Sequence, residues 1–156
     1  MKYTLCFLTK GEEVLMLLRA KEPNKGKWNG VGGKIEANET PAESCQREVL
    51  EETGLSVTHL IFRGIISLDG DESIAVFICG DFKGHLIASS EGVLEWKKKD
   101  WILSSSEVVE NIPLFLEDVL DIRYEPKEYA CRYSSTGEMI GFKIKPLAGS
   151  AASMSS

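Results

Sequence analysis

The chain has 156 residues, a formal net charge of −6, 43% hydrophobic residues and 27% charged ones, proportions that suit one globular domain with its own core. The acidic balance argues against sequence-independent binding to a nucleic-acid backbone, which favours clustered Lys and Arg. It leaves a small phosphorylated substrate open, because a bound cation can invert the local field.

In chain order, "KYTLCFLTKGEEVLMLLRA" reads as two strands turning at Gly11. "KEPNKGKWNGVGGK", with Pro23 and glycines at 26, 30, 32 and 33, reads as a loop. Thr40-Pro41-Ala42-Glu43 then marks a helix start: threonine suits the N-cap, proline the first helical position, and Glu43 closes a capping box. Gly54 suits the left-handed position that stops a helix, so the predicted helix runs from Pro41 to Thr53. "LSVTHLIFRGIISL" and "SIAVFICGDFKGHLI" read as strands on either side of a "DGDE" turn, and "GVLEWKKKDWIL" as a further strand.

"SSSEVVENIPLFLEDVLDI" opens with a helix-capping serine cluster and continues with helical apolar spacing after Pro113. "EYACRYSSTGEMIGFKIK" reads as a hairpin around Ser135-Thr136-Gly137. The expected organisation is a single domain over 1–146 with a small, polar, disordered tail at 147–156. The class is α+β, or mixed α/β. No apolar run approaches a membrane span and no secretory signal pattern is found, so a cytoplasmic location is expected. Cys6, Cys45, Cys79 and Cys131 form no CxxC pair, which predicts reduced, mostly buried thiols and no zinc site.

Inside the predicted helix, "REVLEETG" crowds Glu48, Glu51 and Glu52 into one arc. At about 3.6 residues per turn that arc is roughly 100° wide, and like charges at this spacing cost about 0.2–0.5 kcal/mol per pair. Ala42, Cys45 and Val49 share the adjoining arc as the packed face, while Leu50 lies elsewhere. Arg47 sits one turn before Glu51, placed to pair with a carboxylate and orient it. Three carboxylates on one arc offer hard oxygen ligands for Mg²⁺ or Mn²⁺, ions that keep waters and share substrate phosphates. Such an ion orients and acidifies a water and neutralises charge on a phosphoryl transition state. For "REVLEE" alone a solvated face is the commoner use; the surrounding pattern decides against it.

That pattern is "GGKIEANETPAESCQREVLEETGL". Its Gly33, Glu39, Arg47, Glu48, Val49, Glu51, Glu52, Gly54 and Leu55 resemble, without insertion, the Nudix hydrolase signature Gly-x5-Glu-x7-Arg-Glu-U-x-Glu-Glu-x-Gly-U, with U aliphatic. The resemblance implies a central mixed β-sheet sandwiched by helices and hydrolysis of a nucleoside diphosphate linked to another group. It implies Mg²⁺ as cofactor, with Mn²⁺ as the alternative. It matches Glu48, Glu51 and Glu52 to metal-binding glutamates and the Gly32 carbonyl to a further ligand. Arg47 orients a carboxylate. Glu52 is the first choice for general base or principal ligand, although members of the family differ on which glutamate activates water. Glu39 either binds through solvent or supports the loop.

Outside the box, "YTL", "KWNGVGGKIE" and "SSEGVLEW" resemble the MutT-type 8-oxo-dGTP diphosphatases, so the likeness covers most of 3–120. It implies that Asn29 reads the base, since an amide both donates and accepts. Thr4, Arg19, Gly32, Gly33 and Lys34 match the nucleotide pocket, and Glu91 matches a glutamate that joins the metals. Asn111 resembles a base-reading asparagine of bacterial members, and the adjacent aspartates of the animal enzymes are missing from "SSSEVVENIPLFLED". Bland readings stand beside these: Asn29 capping its own turn, Thr4 facing outward from a strand, Arg19 solvated, Glu91 in a turn, and Trp28, Trp96 and Trp101 packing in the core.

The expected reaction releases a nucleoside monophosphate and pyrophosphate from a triphosphate, preferably an oxidised purine such as 8-oxo-dGTP. ADP-ribose, a dinucleoside polyphosphate or the 5′ triphosphate of RNA are the alternative substrates, and a nucleotide-binding module without turnover is the reading from another class. The expected partner is a nucleotide, with no nucleic-acid polymer and no membrane; no oligomeric state is implied.

Overall fold

The computed structural model describes residues 1–69, 72–87 and 89–147. Its elements are β1 (Tyr3–Lys10), β2 (Glu13–Arg19), β3 (Trp28–Asn29), β4 (Val31–Lys34), α1 (Pro41–Thr53), β5 (Leu55–Val57), β6 (Ile61–Leu68), β7 (Glu72–Cys79), β8 (Phe82–Gly84), β9 (Gly92–Lys98), α2 (Lys99–Ser104), α3 (Ile112–Leu120), β10 (Lys127–Tyr133) and β11 (Met139–Pro146). The main sheet runs β11-β10-β6-β7-β1-β2-β3, with β4 beside β1 and β9 beside β2; β5 and β8 form a separate small pair. β1 pairs parallel with β7, and β6 with β10, among otherwise antiparallel neighbours, so the sheet is mixed. This is the α+β architecture expected of the box.

A strand covered on both faces reads as a continuous apolar run, and β1 is buried from Thr4 to Leu8. Its alternate side chains enter two cores. Leu5 and Phe7 pack with Ile112, Phe115 and Leu116 of α3. Cys6 and Leu8 pack with Cys45 and Val49 of α1. Full burial of a side chain such as Phe7 or Leu8 stabilises by about 1.5–3 kcal/mol, so β1 fixes both helices to one frame. It also changes partner midway: Tyr3–Cys6 face β4, whereas Thr9 and Lys10 turn into β2.

Helix α1 has the bounds its caps dictate. Thr40 Oγ1 accepts from the Glu43 N–H at 3.1 Å, and Glu43 Oε1 accepts from the Thr40 N–H at 2.9 Å. Gly54, at φ 79°, ends the helix and donates to the Leu50 carbonyl. Leu50 stays exposed, but the buried stripe is turned from the expected arc: Ser44 is buried and Ala42 is exposed. The Ser44 hydroxyl donates to the Lys34 carbonyl at 3.4 Å, which anchors this turn on β4 and leaves Ala42 outside.

Several other expectations are corrected. The glycine-rich stretch is not all loop, because β4 lies against β1 with Gly32 opposite Leu5 and Gly33 opposite Thr4. Each of the two central strand segments splits, shedding β5 and β8. "GVLEWKKKDWIL" is a strand followed by the short helix α2. The serine cluster caps nothing at α3: Glu107–Val109 is held to Trp28 by backbone hydrogen bonds, and the helix starts only at Ile112. The C-terminal hairpin forms as expected. The "DGDE" turn falls partly outside the described residues, as does the tail from 148 onward. Cys6, Cys45, Cys79 and Cys131 are free and buried. Among the described residues no helix is long and apolar enough to cross a membrane.

Candidate active site

Arg47 organises the outer side of α1. Its Nε donates to Glu39 Oε2 at 2.6 Å and its Nη2 to Glu39 Oε1 at 2.9 Å, a bidentate pair. Nη1 reaches Glu48 at 2.9 Å and Glu51 at 3.4 Å, and Nη2 also donates to the Lys34 carbonyl at 3.0 Å. One guanidinium thus ties the 34–39 loop to two box glutamates. It holds the Glu39 carboxyl down at about 2, and the Glu39 and Glu48 carboxylates in turn raise Arg47 itself. Glu39 therefore supports the loop in this structure.

Glu52 lies on the inner side, 5% exposed, with Oε1 accepting the Gly32 N–H at 2.8 Å. Burial pushes its carboxyl up to about 7; the Gly32 bond opposes this, while the charges of Glu48 and Glu91 add to it. Burial likewise raises Glu48, against the pull of Arg47. Glu91 is half-buried, and its carbonyl accepts from the Ala20 N–H at 2.9 Å, which ties the loop before β9 to the end of β2. Gly33 makes room for a carboxylate, and Gly32 for the neighbouring strand β1. A Cβ at Gly33 would come within 2.6 Å of both Glu48 carboxylate oxygens, and one at Gly32 would overlap the Thr4 carbonyl. Among the described residues no three His, Cys, Asp or Glu side chains already converge as a metal cage: Arg47 engages Glu48 and Glu51, and Gly32 engages Glu52. The donor chemistry still fits a hard divalent cation, because two carboxylates driven towards neutrality by burial are charged most readily beside a positive ion.

Next to the glycine floor opens a cleft of about 760 Å³. Gly32, Gly33 and Lys34 line it, together with Thr4, Arg19 and Asn29 from β1 to β3 and Asn111 before α3. Thr4 is buried, not outward-facing, and its hydroxyl lies 3.5 Å from the Gly33 carbonyl. Arg19 Nε donates to the Pro23 carbonyl at 2.7 Å, and its charge is felt at Glu52. Asn29 lines the cleft, and its Oδ1 accepts the Gly30 N–H at 2.8 Å, as in a turn. Tyr133 and Glu110 also line it and were not singled out by the sequence. For Tyr133 the hairpin's period-2 pattern was the available signal, since it shares a face with buried Tyr129 and Cys131.

The tryptophans are packing groups. Trp28 meets Trp101 edge-on at 6.3 Å, with the Lys97 ammonium 4.5 and 4.6 Å from the two rings. Trp96 stacks on Phe82 at 5.7 Å.

Comparison with known proteins matches the NUDIX domain family model to residues 2–115. The oxidized purine nucleoside triphosphate hydrolase of Mus musculus is 40% identical over 105 residues, covering 64% of this chain and 67% of that one. The protein of the same description from Danio rerio is 31% identical over 122 residues, 73% of this chain and 78% of its own. The crystal structure of a mutator MutT protein from Bacillus halodurans superposes with a TM-score of 0.78 at 27% identity, over 95% of this chain and 100% of that one.

Proposed function

The chain belongs to the Nudix family as a MutT-type hydrolase, and on that premise we propose that it cleaves oxidised purine nucleoside triphosphates, 8-oxo-dGTP foremost, to the monophosphate and pyrophosphate. Support comes from one juxtaposition: a buried Glu52 hydrogen-bonded to Gly32, on a glycine floor that also lines a cleft shared with Asn29 and Asn111. The likeness to the oxidized purine nucleoside triphosphate hydrolases of mouse and zebrafish supports the oxidised purine as substrate.

Glu48, Glu51 and Glu52, with the Gly32 carbonyl and Glu91, would hold Mg²⁺, or Mn²⁺ in its place. When bound, the cation acidifies water and neutralises phosphate charge. Glu52, held by the Gly32 N–H, is the residue that takes the proton from the attacking water. Arg47 keeps Glu48 and Glu51 in register from outside the cleft. Arg19 and Lys34 meet the phosphates, and Asn29 and Asn111 the base.

The test is a nucleotide panel with product identification, including 8-oxo-dGTP, dGTP and ADP-ribose, with and without chelator. Chelator-sensitive release of pyrophosphate, faster from 8-oxo-dGTP than from dGTP, is expected. Equal rates on the two would remove the oxidised-purine assignment, and no product from any nucleotide would remove the hydrolysis.

A further inference from the structure

Asn111 occupies the N-cap position of α3, yet its side chain makes no capping hydrogen bond. An asparagine there ordinarily spends its carbonyl oxygen on the helix's own N–H groups. This one is 8% exposed and directs Nδ2 elsewhere, to Tyr133 Oη at 3.2 Å and towards Cys131 Sγ at 3.9 Å. The Cys131 thiol points to the Tyr129 carbonyl at 4.0 Å, which leaves sulfur lone pairs for the Asn111 amide hydrogens. That polarity gives the NH₂ end of the amide to the hairpin and leaves its carbonyl oxygen without a protein partner among the described residues, at a residue that lines the cleft.

Tyr133 is itself held in place. The strand pair β10–β11 shifts register between Arg132 and Tyr133 with Ile140 as the extra residue on β11, so Tyr133 keeps the face of Tyr129 and Cys131. The Tyr133 N–H donates to Asp69 Oδ1 at 2.9 Å, and the Asp69 N–H donates to the Cys131 carbonyl at 3.0 Å. The loop after β6 thus clamps the end of β10. Burial pushes the Tyr133 hydroxyl up to about 12, so it stays a neutral hydrogen-bonding group across the working pH range.

We propose that Tyr133 is a positioning residue that fixes the Asn111 amide, so that the base end of the cleft presents a hydrogen-bond acceptor to a purine N–H. This rests on the substrate class proposed above and sharpens it. Oxidation at C8 turns N7 from an acceptor into an N–H donor, and a 6-oxopurine carries a further donor at N1. An acceptor at this end matches either donor and mismatches the bare N1 and N7 of adenine.

The test uses the products, whose binding needs no turnover. Affinities of the full chain for 8-oxo-dGMP and dAMP are measured by calorimetry for wild type, Tyr133→Phe, Asn111→Ala and the double variant, with thermal melts as a control on folding. Tyr133→Phe keeps the ring and is expected to weaken 8-oxo-dGMP about three- to tenfold, the range of one hydrogen bond, and to leave dAMP within about twofold. In the Asn111→Ala background the same change should add nothing, and on 8-oxo-dGTP it should raise KM with little change in kcat. Unchanged 8-oxo-dGMP affinity in Tyr133→Phe overturns the proposal, and so does full additivity of the two substitutions. Tight, Tyr133-dependent binding of 8-oxo-dGMP by a protein that hydrolyses nothing would sustain the positioning role and sink the reaction. Brisk hydrolysis of 8-oxo-dGTP with one KM for every variant would do the reverse.

Discussion

The two ends of the cleft are built in opposite ways. The glycine floor, with the Glu48 and Glu52 carboxylates packed against it, comes from one stretch, Gly32 to Leu55, in which a strand, a loop and a capped helix fold back on each other. The base end is collected from β3, the start of α3 and the end of β10, with Asn29 and Tyr133 more than a hundred positions apart in the chain. The first end is held mainly by charge, through Arg47, and the second by neutral hydrogen bonds among Asn111, Tyr133 and Cys131. On the proposed reading, chemistry and selectivity rest on separate physical supports, and substitutions should divide cleanly between kcat and KM.

The sharpest way to break this division is Glu52→Gln. It is expected to lower turnover of 8-oxo-dGTP by about 10²–10⁴-fold, the range for losing a positioned base, with 8-oxo-dGMP affinity retained. Turnover near that of wild type at saturating Mg²⁺ would remove Glu52 from the chemistry. Gly33→Ala comes next, since its methyl collides with the Glu48 carboxylate. A kcat loss of roughly 10- to 100-fold is expected, readable in steady-state kinetics. Asn111→Ala should show the opposite split: KM up about tenfold, the scale of one or two lost hydrogen bonds, and kcat within a few-fold.

The smallest effect is on stability against pH. Without a divalent ion, Glu52 titrates at about 7 when folded and near 4.3 when unfolded. The folded chain then binds more protons between those values, so its stability falls as pH rises through the interval, by up to about 4 kcal/mol. Glu39, held at about 2, acts with the other sign: its contribution is present above its unfolded value and is lost as pH falls towards 2. Thermal melts in chelator should thus decline from pH 4.5 to 7, and Glu52→Gln or added Mg²⁺ should flatten that decline. An identical slope in the Glu52→Gln variant would show that the carboxyl is not desolvated.

What the sequence disclosed follows the same line. Helix α1 was legible to the residue because both caps are local, Thr40 with Glu43 and Gly54 with Leu50. The strand character of Gly32 and Gly33 was hidden, since it depends on β1 lying alongside with no room for a Cβ. Helix α2 was missed because its six residues continue an apolar strand pattern. Tyr133 was missed because a hairpin tyrosine looks like any other until the fold brings Asn111, from a distant segment, against its hydroxyl.

Each end of the cleft also has a buried thiol behind it, Cys45 within α1 and Cys131 beside Asn111. An alkylating reagent reaches such sulfurs only when the surrounding structure opens. Mass-resolved alkylation of the native chain would therefore clock the two ends separately. A product nucleotide should slow the reaction at Cys131 more than at Cys45, while a divalent cation alone should favour Cys45. The chain carries its own pair of stopwatches, one for the reaction and one for the choice of base.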